Sequence, residues 1–132
     1  AAGTGFAPIK SIIEQIQAKK IQRRIELYWG GRRPSDLYLD DLCRTWQKDI
    51  PNFQYIPVIS DALAEDAWTG RTGFVHRAVM ADHPDMKGLQ VYACGAPVMV
   101  NAARDDFSSK CHLPEEEFFA DSFTSAADLA TN

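Results

Sequence analysis

The chain has 132 residues, 45% of them hydrophobic, which fits one globular domain built around one core. Its 14 basic residues against 18 acidic residues give a formal charge of −4, which argues against a protein that coats nucleic-acid phosphates. No apolar run approaches the roughly 20 residues that cross a bilayer, and the first residues lack the basic-then-apolar order of a secretion signal. We therefore expect a soluble, cytoplasmic domain without membrane insertion.

The cysteines and histidines show neither a disulfide pattern nor a metal-site spacing. Cys43, Cys94 and Cys111 are odd in number and far apart, and the three histidines share no spacing with one another. We expect a reducing compartment, and no metal site is predicted.

The first half of the chain alternates helical and strand-like patterns. Isoleucines at helical spacing between residues 9 and 16, with Pro8 in the first turn, predict a helix. The β-prone run from Ile25 to Trp29 then stops at two glycines. Ser35 is expected to cap the next helix, which runs to about residue 48 and buries Leu39, Leu42 and Trp46.

The second half continues this alternation. Phe53 to Ser60 is typical of a strand, and Pro57 within it indicates an edge strand or a bulge because proline cannot donate a ladder hydrogen bond. After a polar loop, a glycine-rich turn leads into a helix that carries Val75, Ala78 and Val79. The last predicted elements are a strand from Leu89 to Cys94, a helix from about Pro97 to Lys110 and a short strand Phe118-Phe119-Ala120.

Strands alternating with helices predict an α/β fold, a three-layer, Rossmann-like parallel sheet of about five strands with helices on both faces. The domain is expected to span residues 1–124, with a flexible C-terminal tail over residues 125–132. The first glycine turn should follow a strand, yet only Ala1 and Ala2 precede it. We therefore expect the first strand to be truncated here and supplied by upstream residues of a longer polypeptide.

Two glycine-bearing corners predict a nucleotide site. Gly3-Thr4-Gly5 and Cys94-Gly95 each stand where a strand-like run gives way to a helix, the junction at which open α/β sheets bind nucleotides. Glycine permits close backbone approach to a pyrophosphate, and the following helix N-terminus offers free N–H groups to its charge. Because the carboxyl ends of parallel strands share one edge, we expect the two corners to converge there.

A basic corner follows the next glycine turn. Gly31 precedes Arg32 and Arg33 at the place where a Rossmann-like site meets the adenosine ribose, and a guanidinium there can stack on adenine or fork onto phosphate oxygens. Asp36 is a further candidate, although it also suits the first turn of the following helix. The alternative for the two arginines is a solvated basic corner.

Four segments occur in an order that is similar to one protein family. They are Gly3-Thr4-Gly5-Phe6-Ala7-Pro8-Ile9, Leu27-Tyr28-Trp29-Gly30-Gly31-Arg32-Arg33, Trp68-Thr69-Gly70-Arg71-Thr72-Gly73 and Tyr92-Ala93-Cys94-Gly95-Ala96-Pro97-Val98-Met99. On these residues the chain resembles the C-terminal NAD(P)-binding domain of the ferredoxin-NADP reductase-like superfamily. Within it, the chain most resembles the bacterial NAD(P)H-flavin reductases and the reductases of oxygenases and deoxysugar synthesis, such as CDP-6-deoxy-glucoseen reductase.

This resemblance implies the NAD(P)H-binding half of a flavin-dependent oxidoreductase. The domain would bind NADH, with NADPH possible, and present the nicotinamide for hydride transfer to FAD or FMN on a separate upstream domain. Electrons would then pass to free flavin, an iron–sulfur ferredoxin domain or an oxygenase. Since the flavin-binding barrel is not in this sequence, the chain alone is expected to bind the coenzyme without turnover.

The resemblance also implies roles for individual residues. Cys94 would position the nicotinamide rather than act as a nucleophile, and Phe119, Asp121 and Phe123 would lie toward the flavin. Ser60-Asp61 stands where NADPH-specific members carry Ser-Arg, and a carboxylate there would repel a 2′-phosphate and favour NADH, unless Arg32 or Arg33 supplies the missing charge. The remaining coenzyme-binding candidates are Gly3, Thr4, Gly5, Ala7, Pro8, Gly95, Ala96 and Met99.

Two other functions share parts of this pattern. A non-catalytic nucleotide-binding or docking module would keep the fold without the flavin partner, although the aromatic C-terminus argues against it. A flavodoxin-like or receiver domain uses the same alternation, but neither its phosphate loop nor its phospho-acceptor aspartate is clear in this sequence.

Overall fold

The computed structural model describes residues 1–2, 6–20 and 23–122, with the backbone alone for residues 121–122. Within these residues the fold is α/β, with four α-helices and five strands that all pair in parallel, as predicted. No helix in these ranges is both long enough and apolar enough to span a membrane. The strands are β1 (Ile25–Gly31), β2 (Phe53–Ile59), β3 (Arg71–Thr72), β4 (Val91–Gly95) and β5 (Phe118–Ser122). The helices are α1 (Ala7–Ala18), α2 (Asp40–Asp49), α3 (Val75–Asp82) and α4 (Pro97–Lys110).

The sheet consists of two parts joined at Ala1 and Ala2. Strands β1, β2 and β3 lie side by side in that order, and β4 pairs with β5. Ala2 forms a parallel bridge with Gly30 and donates its N–H to the Cys94 carbonyl at 2.9 Å. The spatial order is therefore β3, β2, β1, Ala2, β4, β5, with one short extended segment at the centre.

The helices cover both faces of this sheet, as predicted. One core cluster joins α1 and α2 to the strands through residues such as Ile13, Trp46 and Trp29. Two further clusters place α3 and α4 on the opposite face, with Ala78 beside Val58 and Phe107 beside Phe118. These contacts give the three layers that an alternating sequence requires.

The start of α1 is anchored by aromatic stacking. Phe6 and Trp29 are both fully buried, and their rings stack with centroids 4.1 Å apart and planes inclined by 5°. The sheet residue Trp29 therefore fixes the point at which α1 begins, at the carboxyl end of β1.

The prediction for Ser35 was wrong. Residues Pro34–Asp36 form a 3₁₀ turn of their own, and α2 begins only at Asp40, after Leu39. Ser35 is exposed, whereas the Asp36 carboxylate accepts the backbone N–H groups of Arg32 and Arg33, both at 3.0 Å. The Asp36 carboxylate thus orders the loop before the 3₁₀ turn, and α2 itself starts without a side-chain cap at Leu39. Trp46 is buried in α2 as predicted, while Leu39 and Leu42 are only partly buried.

One strand limit and the position of the Pro57 strand in the sheet also differ from the prediction. Strand β4 begins at Val91, because the Leu89 N–H is used in a turn to the Met86 carbonyl at 3.1 Å. Pro57 lies in a strand with neighbours on both sides, but β3 pairs only with Val58 and Ile59. Among the described residues no strand pairs with β2 beside Pro57 on that side, so the edge is open where proline lacks its donor.

A cavity of about 340 Å³ separates β1 from β4 beyond Ala1. Strand residues line its sides, among them Ile25 and Leu27 of β1 and Val91 of β4, and the inner faces of α1, α3 and α4 close it. Ala1 and Ala2 fill only the carboxyl end of this slot, where Ala1 accepts a hydrogen bond from the Gly30 N–H at 2.9 Å. That the first strand occupies the slot stays a prediction.

Candidate functional site

The carboxyl ends of the parallel strands form one rim at the centre of the molecule. Here β1 ends at Gly31, β2 at Ile59 and β4 at Gly95. The chain runs outward from Ala2 to β1 and β2, then returns to β4 on the other side of Ala2. Such a reversal of strand order is the topological switch point at which open α/β sheets bind ligands.

The structure brings the flanks of the two glycine corners together. Gly3, Thr4 and Gly5 lie outside the described residues, but Ala2, immediately before them, contacts Cys94 through the 2.9 Å backbone hydrogen bond. Gly95 permits this approach, since a Cβ there would come within 3.0 Å of the Ala2 Cβ. The second corner therefore lies beside the residues that lead into the first, as the sequence predicts. The position of Thr4 itself stays a prediction.

Two helix N-termini open onto this rim. Helix α1 begins at Ala7 with Pro8 in its first turn, and α4 begins at Pro97 after Ala96, and neither has a side-chain cap among the described residues. Unpaired N–H groups at a helix start carry partial positive charge and attract anions. The rim is therefore suited to a pyrophosphate.

A groove beside Cys94 lies between α1 and the strands β4 and β5. It has a volume of about 270 Å³ and is lined by Pro8, Ser11, Ile12, Tyr92, Cys94, Phe119 and Ala120. Cys94 itself is 5% exposed. Three residues that the sequence singled out, Pro8, Cys94 and Phe119, thus share one surface.

Tyr92 is a groove residue that was not among the predicted site residues. Its ring stacks on Phe119 with centroids 4.9 Å apart and planes inclined by 19°, and both rings remain about half exposed. The signal was present, because Tyr92 stands two positions before Cys94 and a strand presents alternate residues on the same face. An exposed aromatic pair next to an apolar groove can stack on a planar ring.

Met99, Asp121 and Phe123 are three further predicted site residues, and the structure places only one of them away from the groove. Met99, in the first turns of α4, packs against the core cluster of Tyr28, Val58, Val75 and Ala78 on the opposite face of the sheet from the groove. The backbone of Asp121 pairs with Cys94 in the β4–β5 register, whereas Phe123 lies outside the described residues. The structure thus assigns Met99 a packing contact and brings the Asp121 backbone level with Cys94.

Arg32 and Asp61, predicted at the adenosine end of the site, contact each other. The Arg32 Nε donates to Asp61 Oδ2 at 3.1 Å, and the loops that carry them are joined by the Asp61 N–H, which donates to the Arg32 carbonyl at 2.8 Å. The Ser60 N–H likewise donates to the Gly31 carbonyl at 3.0 Å. The structure therefore assembles Gly31, Arg32, Ser60 and Asp61 into one corner of the rim.

Arg33 is engaged by two carboxylates that sequence reasoning did not select. Its guanidinium contacts Asp66 and Glu65, both in the 3₁₀ turn Ala64–Asp66. The hydrogen bond from Arg33 holds the pKa of the Asp66 carboxyl below its usual value, and the same bond raises the pKa of Arg33. No motif marks Glu65 or Asp66, because they reach Arg33 only when the loop after β2 folds back onto the loop after β1.

The rim meets the requirements of a nicotinamide dinucleotide. It offers an anion site at two helix N-termini, a corner with two carboxylate-paired arginines on one side and an aromatic-lined groove on the other. At the centre, Gly95 has no Cβ and therefore packs closely against Ala2.

Comparison with known proteins agrees with this geometry. The family model of the "Oxidoreductase NAD-binding domain" matches residues 1–105. The chain is 45% identical over 123 residues to the CDP-6-deoxy-L-threo-D-glycero-4-hexulose-3-dehydrase reductase of Yersinia pestis. The matched segment covers 93% of this chain and 36% of that protein. It is 33% identical to the NAD(P)H-flavin reductase of Aliivibrio fischeri, over 93% of this chain and 51% of that protein.

A solved structure has the same fold. The crystal structure of the Amycolatopsis cytochrome P450 reductase GcoB matches with a TM-score of 0.83 and 31% identity, over 96% of this chain and 37% of that chain. The chain thus spans between about a third and a half of the length of these relatives.

Proposed function

Because the chain belongs to the oxidoreductase NAD-binding domain family, we propose that it is the NAD(P)H-binding half of a flavin-dependent oxidoreductase. The observation that carries this proposal is the contact between Ala2 and Cys94 at the switch point, flanked by the N-termini of α1 and α4. A dinucleotide needs an anion site between two ring-binding regions, and in this proposal the rim provides all three.

Each part of the rim has a role in holding the coenzyme. The N-terminus of α1 would bind the pyrophosphate, with Gly3, Thr4 and Gly5 beside it. The groove at Cys94 would hold the nicotinamide, and Tyr92 and Phe119 would exclude water from its far side. The Arg32 corner would hold the adenosine.

The bound coenzyme supplies a hydride, so the protein needs no acid or base for the nicotinamide side of the reaction. Cys94 acts as a positioning residue, because its buried side chain on β4 limits how deep a planar ring can lie in the groove. The fit of ring and groove thus orients the face that donates the hydride.

NADH is the preferred coenzyme in this proposal. Asp61 pairs with Arg32 at 3.1 Å, so this arginine already has a carboxylate partner. A 2′-phosphate would have to approach that carboxylate, whereas a 2′-hydroxyl can donate to it.

The electron acceptor is proposed from the relatives. Two of them are reductase components of terephthalate 1,2-dioxygenase from Comamonas sp., 39% and 38% identical to this chain, and another is the dehydrase reductase named above. We accordingly propose a flavin-binding domain as the direct partner, an iron–sulfur centre or oxygenase as the next acceptor, and the cytoplasm as the location.

Calorimetric titration of the chain with NADH, NADPH and FAD separately tests the proposal. We expect NADH to bind with a dissociation constant in the roughly 1 μM to 1 mM range usual for enzyme substrates, NADPH to bind more weakly and FAD not to bind. The absence of saturable NADH binding to a folded chain, checked by circular dichroism, would contradict it.

A further inference from the structure

The rim holds more negative charge than its two arginines balance. Four carboxylates surround the two arginines. Asp36 accepts the backbone N–H groups of Arg32 and Arg33. Asp61 accepts the Arg32 side chain, and the Arg33 side chain donates to Glu65 and Asp66. Arginine is the side chain best suited to fork onto a phosphate. Whether either arginine is available to a 2′-phosphate therefore depends on these carboxylates.

The pair of Arg33 with Asp66 is the tighter of the two arginine–carboxylate pairs. Arg33 Nε donates to Asp66 Oδ2 at 3.2 Å and Nη2 donates to Asp66 Oδ1 at 2.6 Å, a two-pronged pair. Nη2 also donates to Glu65 Oε1 at 3.2 Å. Pairs of this geometry are stronger and more specific than single contacts.

Asp66 is itself fixed in place. Its Oδ2 accepts the Leu63 N–H at 2.9 Å, and its side chain is 14% exposed. The Arg32–Asp61 pair, by contrast, makes one contact between side chains that are 83% and 59% exposed. Exposed single-contact pairs contribute little and exchange readily with solvent. Arg33 is thus the arginine whose position the fold determines.

We propose that Asp66, assisted by Glu65, determines coenzyme specificity by holding the guanidinium of Arg33 away from the coenzyme. The edge of Arg33 that would fork onto a 2′-phosphate already binds Asp66, and a phosphate there would also approach two carboxylates. NADPH binding would require this pair to break and leave the less exposed Asp66 without its cation. NADH, with a neutral 2′-hydroxyl, leaves the pair intact. This inference rests on the proposed function and extends it to residues outside the Ser60-Asp61 position.

The test is the double variant Asp66→Asn with Glu65→Gln. Asparagine keeps an oxygen that can accept the Leu63 N–H, so the 3₁₀ turn is retained while the charge is removed. We expect the dissociation constant for NADPH to fall at least about tenfold, in line with a gain of one charge-assisted contact, and that for NADH to change less than about threefold. The single variant Glu65→Gln, on a residue that is 72% exposed, should give a smaller change in the same direction.

Two control variants separate the proposed effect from general charge. Glu115→Gln with Glu116→Gln makes the same change in net charge at exposed residues before β5, at the opposite edge of the sheet, and should leave the ratio of the two affinities unchanged. Adding Arg33→Ala to the Asp66 and Glu65 double variant should abolish the gain in NADPH affinity, since Arg33 is the proposed phosphate ligand.

The outcomes are distinguishable. Unchanged selectivity in a double variant that binds NADH normally would overturn the inference and leave the proposed function intact, as would a gain that persists without Arg33. Absence of NADH binding in the parent chain would overturn the proposed function and this inference together.

Discussion

At the scale of single residues, the rim depends on which side chain accepts the backbone N–H groups of the loop after β1. Asp36 accepts two backbone N–H groups, from Arg32 and Arg33, and thereby fixes the direction in which both arginines leave the backbone. The exposed Ser35 beside it makes no such contact among the hydrogen bonds of the described residues. One position in the sequence thus separates a residue that orders the basic corner from one that does not.

We expect Asp36→Ala to destabilise the chain by about 1 kcal/mol, the usual effect of removing a side chain that caps backbone donors. It should also weaken NADH binding, because the arginine loop loses its fixed conformation. Ser35→Ala is the matched control and should change the free energy of unfolding by less than about 0.5 kcal/mol. Urea denaturation and NADH titration of both variants provide the measurement. Equal effects of the two substitutions would show that Asp36 does not order the loop.

At the scale of secondary-structure elements, most of the fold could be predicted from sequence periodicity. The isoleucine spacing of α1, the β-prone runs of β1 and β2, and Pro97 at the start of α4 all act locally, and the structure confirms each. The limits of α2 and β4 were missed, because the start of α2 depends on the separate 3₁₀ turn at Pro34–Asp36 and the start of β4 depends on a turn to Met86.

The candidate site, like the fold, could be predicted only where local sequence pattern or parallel topology determines it. The convergence of the strand ends could be predicted, because parallel topology requires it. The ion pairs of Arg33 could not be predicted. Glu65 and Asp66 lie more than 30 positions further along the chain, and they reach Arg33 only because two loops pack together. Tyr92 lies between these cases, since its strand position was predictable and its stacking on Phe119 was not.

Three elements are joined by one hydrogen-bonded network on the α3 face. The Tyr28 hydroxyl of β1 donates to Asp82 Oδ2 of α3 at 2.6 Å, and Arg71 Nη1 of β3 donates to the same oxygen at 3.0 Å. The hydrogen bond from Arg71, with that from Tyr28, holds the pKa of the Asp82 carboxyl below its usual value. Burial and the same contact raise the pKa of Tyr28, so its hydroxyl keeps the proton that it donates.

This network predicts a pH-dependent part of the stability. Because the pKa of Asp82 is lowered in the folded state, its contribution is present above the unfolded value of about 3.9 and is lost as the pH falls through the lowered folded value. Urea unfolding should therefore show a stability difference between the parent and Asp82→Asn that is constant near neutral pH and shrinks below about pH 4. Tyr28→Phe should cost about 0.5–1.5 kcal/mol.

An exposed aspartate on α4 supplies the control for this experiment. Asp105→Asn should follow the pH profile of the parent, since the Asp105 side chain is not part of the network. If the difference in free energy of unfolding between the parent and Asp82→Asn did not change between pH 7 and pH 3, the ionised Asp82 carboxylate would not be what stabilises the network.

At the scale of the whole molecule, the slot between β1 and β4 is the main departure from a closed core. It is one strand wide where Ala2 pairs with both neighbours, and further along it is lined by apolar side chains of three helices. Unpaired strand edges and uncovered apolar surface both destabilise a parallel sheet. We expect an extended apolar segment placed in the slot parallel to β1 to pair with both strand edges and to cover this surface.

Fusing five valine- and isoleucine-rich residues to Ala1 tests this expectation. The free energy of unfolding should rise by at least about 2 kcal/mol, since full burial of one such side chain contributes roughly 1.5–3 kcal/mol. A fusion of the same length with proline at alternate positions cannot form the ladder hydrogen bonds and serves as the control. The same gain from both fusions would show that strand pairing in the slot is not its cause.

Binding of NADH at the carboxyl rim can be followed residue by residue through backbone amide NMR shifts during an NADH titration. We expect saturable shifts at Arg32, Asp61, Cys94 and Gly95, together with the first turns of α1 and α4, and none at the turn Glu115–Glu117 on the opposite edge. Shifts confined to that opposite edge, or no saturable shifts in a folded chain, would show that NADH does not bind at the rim.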